Sequence, residues 1–380
     1  MNLLGRAATL LDPADPARLA ILPDLGRALA SSGRFDDAKA CLAEALERAE
    51  AAGDQRAMGY ARVLPYLEFA GVDLSPSEYR RVADEARALF ERLGDDRGLA
   101  LAWRLRGFAS WREGNAAGEA VASARALEHA RRAGSHWEEK EIVLDLGIDL
   151  YWGPTPLPEA IRWCNDILAR APDDRAIEMG IAHALAHMHA RLGDFALARS
   201  LAARCLEIAN ESGQRMLAAA LAEVAADVET LAGNHAAAER MLAEGCARLV
   251  AMGAPSVVDE AAHALSRIAC GLPVDGERLA GLATTTDRAP RALLKAAIAA
   301  AHLNAGSLVE AERDARSAVE YFATTDFVTF HADSVLILGD VLRSAGRTSE
   351  ADAAFQQALD LYRQKGSLVS GEIAAARLAG

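Results

Sequence analysis

The amino-acid sequence predicts an all-α fold, a right-handed superhelical solenoid of about nine helix pairs closed by a C-terminal capping helix, on three observations. Glycine recurs as two interleaved combs. Apolar residues between the teeth recur at spacings of three and four. Alanine supplies 86 of the 380 residues while aromatic side chains make up 5%, a composition that suits closely packed helices better than sheets. With 52% apolar and 25% charged residues the chain can bury a large core and does not read as disordered.

The first comb is Gly33, Gly71, Gly114, Gly153, Gly193, Gly233, Gly271, Gly306 and Gly346, with gaps of 35 to 43 residues. The second, Gly53, Gly94, Gly134, Gly213, Gly253 and Gly366, lags the first by 20 residues, or once by 23. Glycine enters the left-handed backbone region that ends helices without a steric penalty, so teeth half a repeat apart mark successive helix C-termini. A period of about 40 residues is that of helical solenoids.

Taken in order, residues 16–53 form the first pair, with Leu22, Leu25 and Leu29 on one helix face and Phe35, Ala38, Leu42 and Ala45 on the other. The second pair, 54–94, carries an insertion at 72–76. The second helix of that pair starts at Ser75-Pro76-Ser77-Glu78, which combines an N-cap, a first-turn proline and a capping-box glutamate. Pairs follow over 95–134 and 135–172, the latter turning through Gly153-Pro154-Thr155-Pro156-Leu157-Pro158, and then over 173–213 and 214–253. The seventh, 254–287, is the least regular: Gly271-Leu272-Pro273 leads to a short helix before Thr284-Thr285-Thr286, where a bend or register change is expected. In the eighth, 288–325, Ser307 and Glu310 repeat the capping box. The ninth, 326–366, sets Val335, Leu338 and Leu342 against Ala351, Phe355 and Ala358, and the cap, 367–380, holds a helix over about 368–378. The stretch 3–11 reads as the last turns of a helix whose own partner precedes this sequence.

Seven residues before the comb glycine most pairs carry a small residue (Gly26, Gly107, Ala186, Ala226, Ala264, Ala299, Gly339), and five after it an alanine (Ala38, Ala198, Ala238, Ala311, Ala351). Small residues at these points let two antiparallel helices approach closely, which is the tetratricopeptide pattern. Glu119 departs from it in the third pair. The period exceeds the usual value of about 34, which keeps HEAT-like pairs as the alternative, while the two-comb rhythm favours tetratricopeptides.

The stretches Pro23-Asp24-Leu25-Gly26-Arg27-Ala28-Leu29, Tyr151-Trp152-Gly153-Pro154-Thr155-Pro156-Leu157-Pro158-Glu159-Ala160-Ile161 and Leu338-Gly339-Asp340-Val341-Leu342-Arg343-Ser344-Ala345-Gly346-Arg347 give a closer likeness. In them the chain resembles the C-terminal tetratricopeptide region of bacterial signalling proteins built from an adenylate/guanylate cyclase domain, an AAA-type ATPase and the repeats. The resemblance spans nearly the whole chain, and its most specific element is the turn at Trp152-Gly153-Pro154-Thr155-Pro156. It implies cyclase and ATPase domains upstream and a regulatory or sensor arm here. Two alternatives stand beside it: the sensor arm of an ATP-dependent transcription activator, with a helix-turn-helix beyond these ends, and a free-standing adaptor.

A formal charge of -13 repels phosphate backbones and anionic lipid, so no direct nucleic-acid or membrane partner is expected. Cys41, Cys164, Cys205, Cys246 and Cys270 are scattered, without the pairing of a disulfide framework or zinc site, and read as reduced core residues of a cytoplasmic protein. No secretion signal opens the sequence, and the uncharged run 296–309 is too short to cross a bilayer. There is no G-x-x-x-x-G-K-[ST] loop, no G-x-G-x-x-G turn and no G-x-S-x-G elbow. The chain reads as a non-enzyme with no catalytic, cofactor-binding or metal-binding residue assigned.

The candidate function is a concave groove that binds a protein or peptide, because the inner helices of such a solenoid line one curved surface. The register places Arg104, Phe108 and Trp111 of the third pair there, Tyr151 of the fourth, His183 and His187 of the fifth, and Glu223 and Asp227 of the sixth. The acidic section is expected to attract a basic segment. No lysine and asparagine array is present to clamp a C-terminal carboxylate, which disfavours that ligand class. All five tryptophans (Trp103, Trp111, Trp137, Trp152, Trp163) fall in the third and fourth pairs. Trp103 stands where an indole packs between helices, whereas Phe108, Trp111 and Tyr151 suggest an aromatic groove. His183 and His187, four apart, share a helix face but lack a third ligand and the zincin glutamate, so they are read as structural or partner-facing.

Overall fold

The computed structural model describes residues 2–12, 15–68, 75–283 and 287–380. Gly71, positions 72–74 of the insertion and Thr284-Thr285-Thr286 lie outside the described residues. Twenty-one helical segments and no strand occur among those described. After α1 (Asn2–Leu10) come the pairs α2 (Pro16–Ser31) and α3 (Phe35–Ala52), α4 (Gln55–Glu68) and α5 (Pro76–Leu93), α6 (Asp96–Arg112) and α7 (Ala116–Arg132). Next are α8 (His136–Trp152) and α9 (Leu157–Arg170), then α10 (Arg175–Arg191) and α11 (Phe195–Glu211). The first helix of the sixth pair is interrupted at Leu221, giving α12 (Arg215–Ala220) and α13 (Ala222–Leu231) before α14 (His235–Ala251). The chain finishes with α15 (Val257–Ala269) and the seven-residue α16 (Gly276–Leu282), α17 (Arg288–Asn304) and α18 (Leu308–Phe322), α19 (Val328–Ser344) and α20 (Thr348–Lys365), and the cap α21 (Leu368–Ala379).

The glycine combs carry this division. Every described comb glycine except Gly153 has a positive φ, between 61° and 86°, and no other described residue does. Gly153 ends α8 in extended backbone instead (φ -77°, ψ -168°). It is glycine for space: a Cβ there would lie 2.6 Å from the Asp149 carbonyl oxygen and 2.8 Å from Ala116 Cβ. Close approach also explains the small residues inside the pairs. A Cβ on Gly26 would meet Leu42 Cγ at 2.7 Å, and one on Gly339 would run into the Phe355 ring. The capping box at Ser75 is formed, with Glu78 N donating to Ser75 Oγ at 3.3 Å and Ser75 N to Glu78 Oε2 at 2.9 Å. Its counterpart at Ser307 is not: the side chain makes no cap bond.

The superhelix winds tightly enough for its successive turns to touch. Asp326, in the turn before α19, caps α7 from 210 residues away, its carboxylate accepting from Ala116 N at 2.6 Å and Ala117 N at 2.9 Å. Its own amide donates to the Gly114 carbonyl at 3.0 Å, and the Trp111 ring lies 4.5 Å from Phe327. Trp152 stacks on Phe330 at 3.9 Å. Lys365, buried at the end of α20, donates to the carbonyls of Leu150 (2.8 Å), Gly153 (2.6 Å) and Thr155 (2.8 Å). Arg191 Nη1 donates to Ser370 Oγ at 3.3 Å. These contacts span 178 to 216 residues, which corresponds to about five repeats per turn, so the eighth and ninth pairs pack against the third to fifth.

Candidate functional site

Where the two turns meet, α10, α13 and α15 face α17, α19, α20 and α21 across a cavity of about 340 Å³. Leu231, Leu265, Leu293, Ile337 and Ile373 give it an apolar wall, and the stacked Trp152 and Phe330 close one side. The polar lining consists of Arg191, Glu223, Asp227, Asp333, Ser334, Tyr362 and Ser370, with Thr230 and Ser266. Helical spacing puts Glu223 and Asp227 on one face of α13, and Asp333 and Ile337 on one face of α19.

The carboxylates tie into a buried network. His187 Nδ1 lies 2.7 Å from Asp227 Oδ2 and its Nε2 3.5 Å from Glu223 Oε2, and its ring stacks on Tyr151 at 4.3 Å. The Tyr151 hydroxyl donates to Asp227 at 3.1 Å and accepts from Arg191 Nε at 2.7 Å. Tyr362 donates to Asp333 at 2.6 Å. Burial works to lower the His187 pKa, but Glu223 and Asp227 outweigh it and hold the imidazole up at about 9. Burial, with His187 beside it, drives His183 down to about 3, so two histidines one turn apart carry different charges at neutral pH. Burial would raise Asp227, but Arg191 and His187 keep it below the usual carboxylate range. Asp333 moves the other way, since desolvation exceeds what Arg191 returns. Asp259, next to Glu223, is pushed up to about 7 by burial and by that neighbour.

Of the residues the sequence places on an open concave surface, Tyr151, His187, Glu223 and Asp227 come together here, with His183 edge-on to His187 at 5.3 Å. Only Glu223 and Asp227 reach the cavity. Tyr151 and His187 are fully covered, so the open aromatic groove expected from Phe108, Trp111 and Tyr151 is occupied by the chain's own later repeats. Arg104 is buried in a separate ladder between α6 and α8, donating to Asp145 at 2.5 Å and Glu141 at 3.3 Å, with its guanidinium 5.3 Å over the half-buried Phe108 ring. Trp103 packs half-buried against the core between α8 and α10. Phe330, Asp333, Tyr362 and Ile373 were not legible as site residues, because they arrive from the next superhelical turn, whereas Arg191 shares the α10 face of His187 one helical turn away and was missed although helical spacing could have found it. The nearest signal was the aromatic cluster Tyr321, Phe322, Phe327 and Phe330 in repeats that otherwise offer alanine and leucine.

One further group has metal-ligand chemistry: the donor atoms of Cys246, Glu260 and His263 lie within 4.8 Å of one another. Each already has an occupation. Glu260 pairs with Arg278, His263 Nε2 stands 3.4 Å from Glu239, and burial, with Glu260 and Asp259, pushes the Cys246 thiol up to about 12. Cys41, Cys164 and Cys205 are likewise buried thiols, pushed up to about 11, 12 and 12 by desolvation. Among the described residues no helix is long and apolar enough to cross a membrane.

The geometry defines a helical-repeat solenoid with an internal acidic and apolar cavity. Residues 18–52 and 334–369, at its two ends, match tetratricopeptide-repeat family models, so the solenoid carries a tetratricopeptide repeat at each end. A comparison with curated proteins gives no match. Among solved structures, the APC/C hetero-tetramer Cut9–Hcn1 is similar, with a TM-score of 0.63 at 14% identity over 99% of this chain and 75% of that one. The Rap protein complexed with competence and sporulation factor gives 0.48 at 12% identity, over 96% of this chain and 97% of that one. A STAND signal-transduction ATPase with a tetratricopeptide-repeat sensor from Pyrococcus horikoshii gives 0.33 at 12% identity, over 90% and 52%. At 14% identity the likeness to Cut9–Hcn1 is one of fold.

Proposed function

We propose that this chain is a non-catalytic interaction scaffold that holds a segment of a partner protein in the cavity between its two superhelical turns. The observation that carries the reading is the cavity itself. It is walled by inner helices of six repeats and the cap, its lining is mainly apolar, and Leu265 and Ile373 there remain more than a third exposed. Exposed large apolar side chains beside a concave opening are the physical mark of a surface covered by a partner. Glu223 and Asp227 supply the recognition charge expected from the sequence. A photo-crosslinking residue at Ile337 tests this in cells, with one at Val309 on α18, 80% exposed, as the control. A defined protein adduct at Ile337, absent at Val309 and lost when Ala262→Trp fills the cavity, is the expected outcome. Adducts equal at both positions, or none at Ile337, overturn the reading.

The wider context we propose is that of the resemblance: a cytoplasmic regulatory or sensor arm working with cyclase and ATPase domains, in the same polypeptide or beside it. The turn at Trp152-Gly153-Pro154-Thr155-Pro156 supports it. Sequencing the flanking gene region tests it. Neighbouring cyclase and ATPase frames are expected, a helix-turn-helix module favours the transcription-activator alternative, and isolation among unrelated genes favours the free-standing adaptor.

A further inference from the structure

The charges around the cavity do not balance. Three carboxylates, Glu223, Asp227 and Asp333, line it against one guanidinium, Arg191. His187, behind the wall, adds a second positive charge but is spent on Asp227 and Glu223. Arg191 is shared among the Tyr151 hydroxyl, Ser370 and Asp227, whose Oδ1 is 3.7 Å from Nη2. Asp333 has a neutral donor, the Tyr362 hydroxyl, as its hydrogen-bond partner. One carboxylate is left without a matching cation in a partly enclosed cavity, where Glu223 and Asp227 are each only 17% exposed, and a ligand that supplies the charge relieves that cost. The raised pKa values of Asp333 and Asp259 are the same deficit seen from the protein's side.

A second feature points the same way. The Ser334 hydroxyl is 1% exposed, lines the cavity and has no hydrogen-bond partner among the described residues. Buried hydroxyls are normally satisfied, so this one is placed for a polar group of an incoming chain. The rest of the wall takes apolar surface, and about 340 Å³ stands at the small end of ligand cavities, enough for a few side chains and too little for a folded element.

We propose that the cavity takes a short segment of a partner chain in which one lysine or arginine stands among bulky apolar side chains. The cation meets the acidic wall of Glu223, Asp227 and Asp333, and the apolar neighbours pack on Leu293, Ile337 and Ile373. This deepens the scaffold reading and rests on it. Opposite charge sets the register of the segment, and apolar burial supplies most of the affinity.

The test uses the full chain and pools of synthetic heptapeptides, acetylated and amidated at their ends. Leucine, isoleucine, methionine or phenylalanine occupies three positions, glycine and serine fill the remainder, and the centre is lysine, norleucine or glutamate. Binding is read by isothermal calorimetry. The lysine pool is expected to bind at least about tenfold tighter than the norleucine pool, with the glutamate pool weakest. Glu223→Gln and Asp333→Asn, which keep shape and remove charge, should each bring lysine close to norleucine. Ala262→Trp should abolish binding of every pool, with thermal melts confirming that all three variants fold. Norleucine or glutamate pools binding as well as lysine overturn the cation while leaving the scaffold reading in place. Binding of no pool, or binding that survives Ala262→Trp, overturns the cavity as a peptide site and the scaffold reading with it.

Discussion

Replacing Lys365 by methionine should open the contact between superhelical turns. The ammonium donates to the carbonyls of Leu150, Gly153 and Thr155 at 2.6 to 2.8 Å, and the surrounding sequence explains why. The next helical amide that would bond the Leu150 carbonyl belongs to Pro154, which has no N–H, and Pro156 and Pro158 supply none to the turn. Lys365 brings three donors to a segment that has lost its own. Methionine keeps the apolar stem and removes them. Two of the three bonds are buried, and each orphaned carbonyl costs about 1–3 kcal/mol, while the third acceptor can reach water. The ammonium no longer has to be desolvated, which offsets part of this and leaves a loss of about 2–4 kcal/mol. The assay is urea unfolding at pH 6, where the ammonium is charged, since burial with Arg191 nearby pushes it down to about 7. Solution scattering of the same variant should show a larger radius of gyration. A loss below about 0.5 kcal/mol with unchanged scattering would refute the reasoning, because it would mean the turns are held together without this bond.

Four other outcomes follow from the same structure. The His187 resonances should titrate near pH 9 while His183 stays neutral down to about pH 4; a His187 midpoint near 6.5 would refute its pairing with Asp227 and Glu223. Because the folded His187 pKa lies above the unfolded one, its contribution to stability is complete below about pH 6.5 and is lost as pH rises through 9, with a slope of at most about 1.4 kcal/mol per pH unit that His187→Gln should remove. Glu119 is held above the ordinary carboxylate range by burial, with Asp145 adding to it and Asp149 beside it also raised, so its stabilisation is present at low pH and lost as pH rises; Glu119→Gln should therefore gain stability relative to the parent between pH 5 and pH 8.5 in urea unfolding, and an unchanged difference would count against the buried acid. Gly339→Ala should destabilise by about 1–2 kcal/mol, since the Phe355 clash outweighs the helix-propensity gain, and a stabilised variant would show that the α19 and α20 axes are not pinned together there.

The parts of the fold that are local in sequence were legible in it. A comb glycine acts within its own helix end, so thirteen positive φ values could be located by spacing alone. Gly26 and Gly339 act across one antiparallel pair, a separation of 16 residues to Leu42 and to Phe355, and were read for the same reason. Gly153 was counted in the comb on spacing, but its role is contact with Ala116 rather than a left-handed turn, and spacing cannot tell those causes apart.

The site was only half legible because its second half is set by a global quantity, the superhelical pitch. A small rotation per repeat, summed over about five repeats, decides whether Trp152 faces solvent or Phe330, and no single repeat encodes that sum. The inward-facing residues could be named from register, yet whether they form an open groove or a filled interior depends on helices about 210 residues away. Residues in the later repeats do carry a trace of the closure. Asp326 stands outside a helix where it can cap α7, and Lys365 lies at a helix end that a solenoid facing water would leave exposed, yet it is 1% exposed. Both polar groups satisfy backbone that the proline turn and the start of α7 leave unpaired. The contact between turns is thus the arrangement in which their donors and acceptors complete one another, and it leaves Glu223 and Asp333 facing a cavity that the chain does not fill itself.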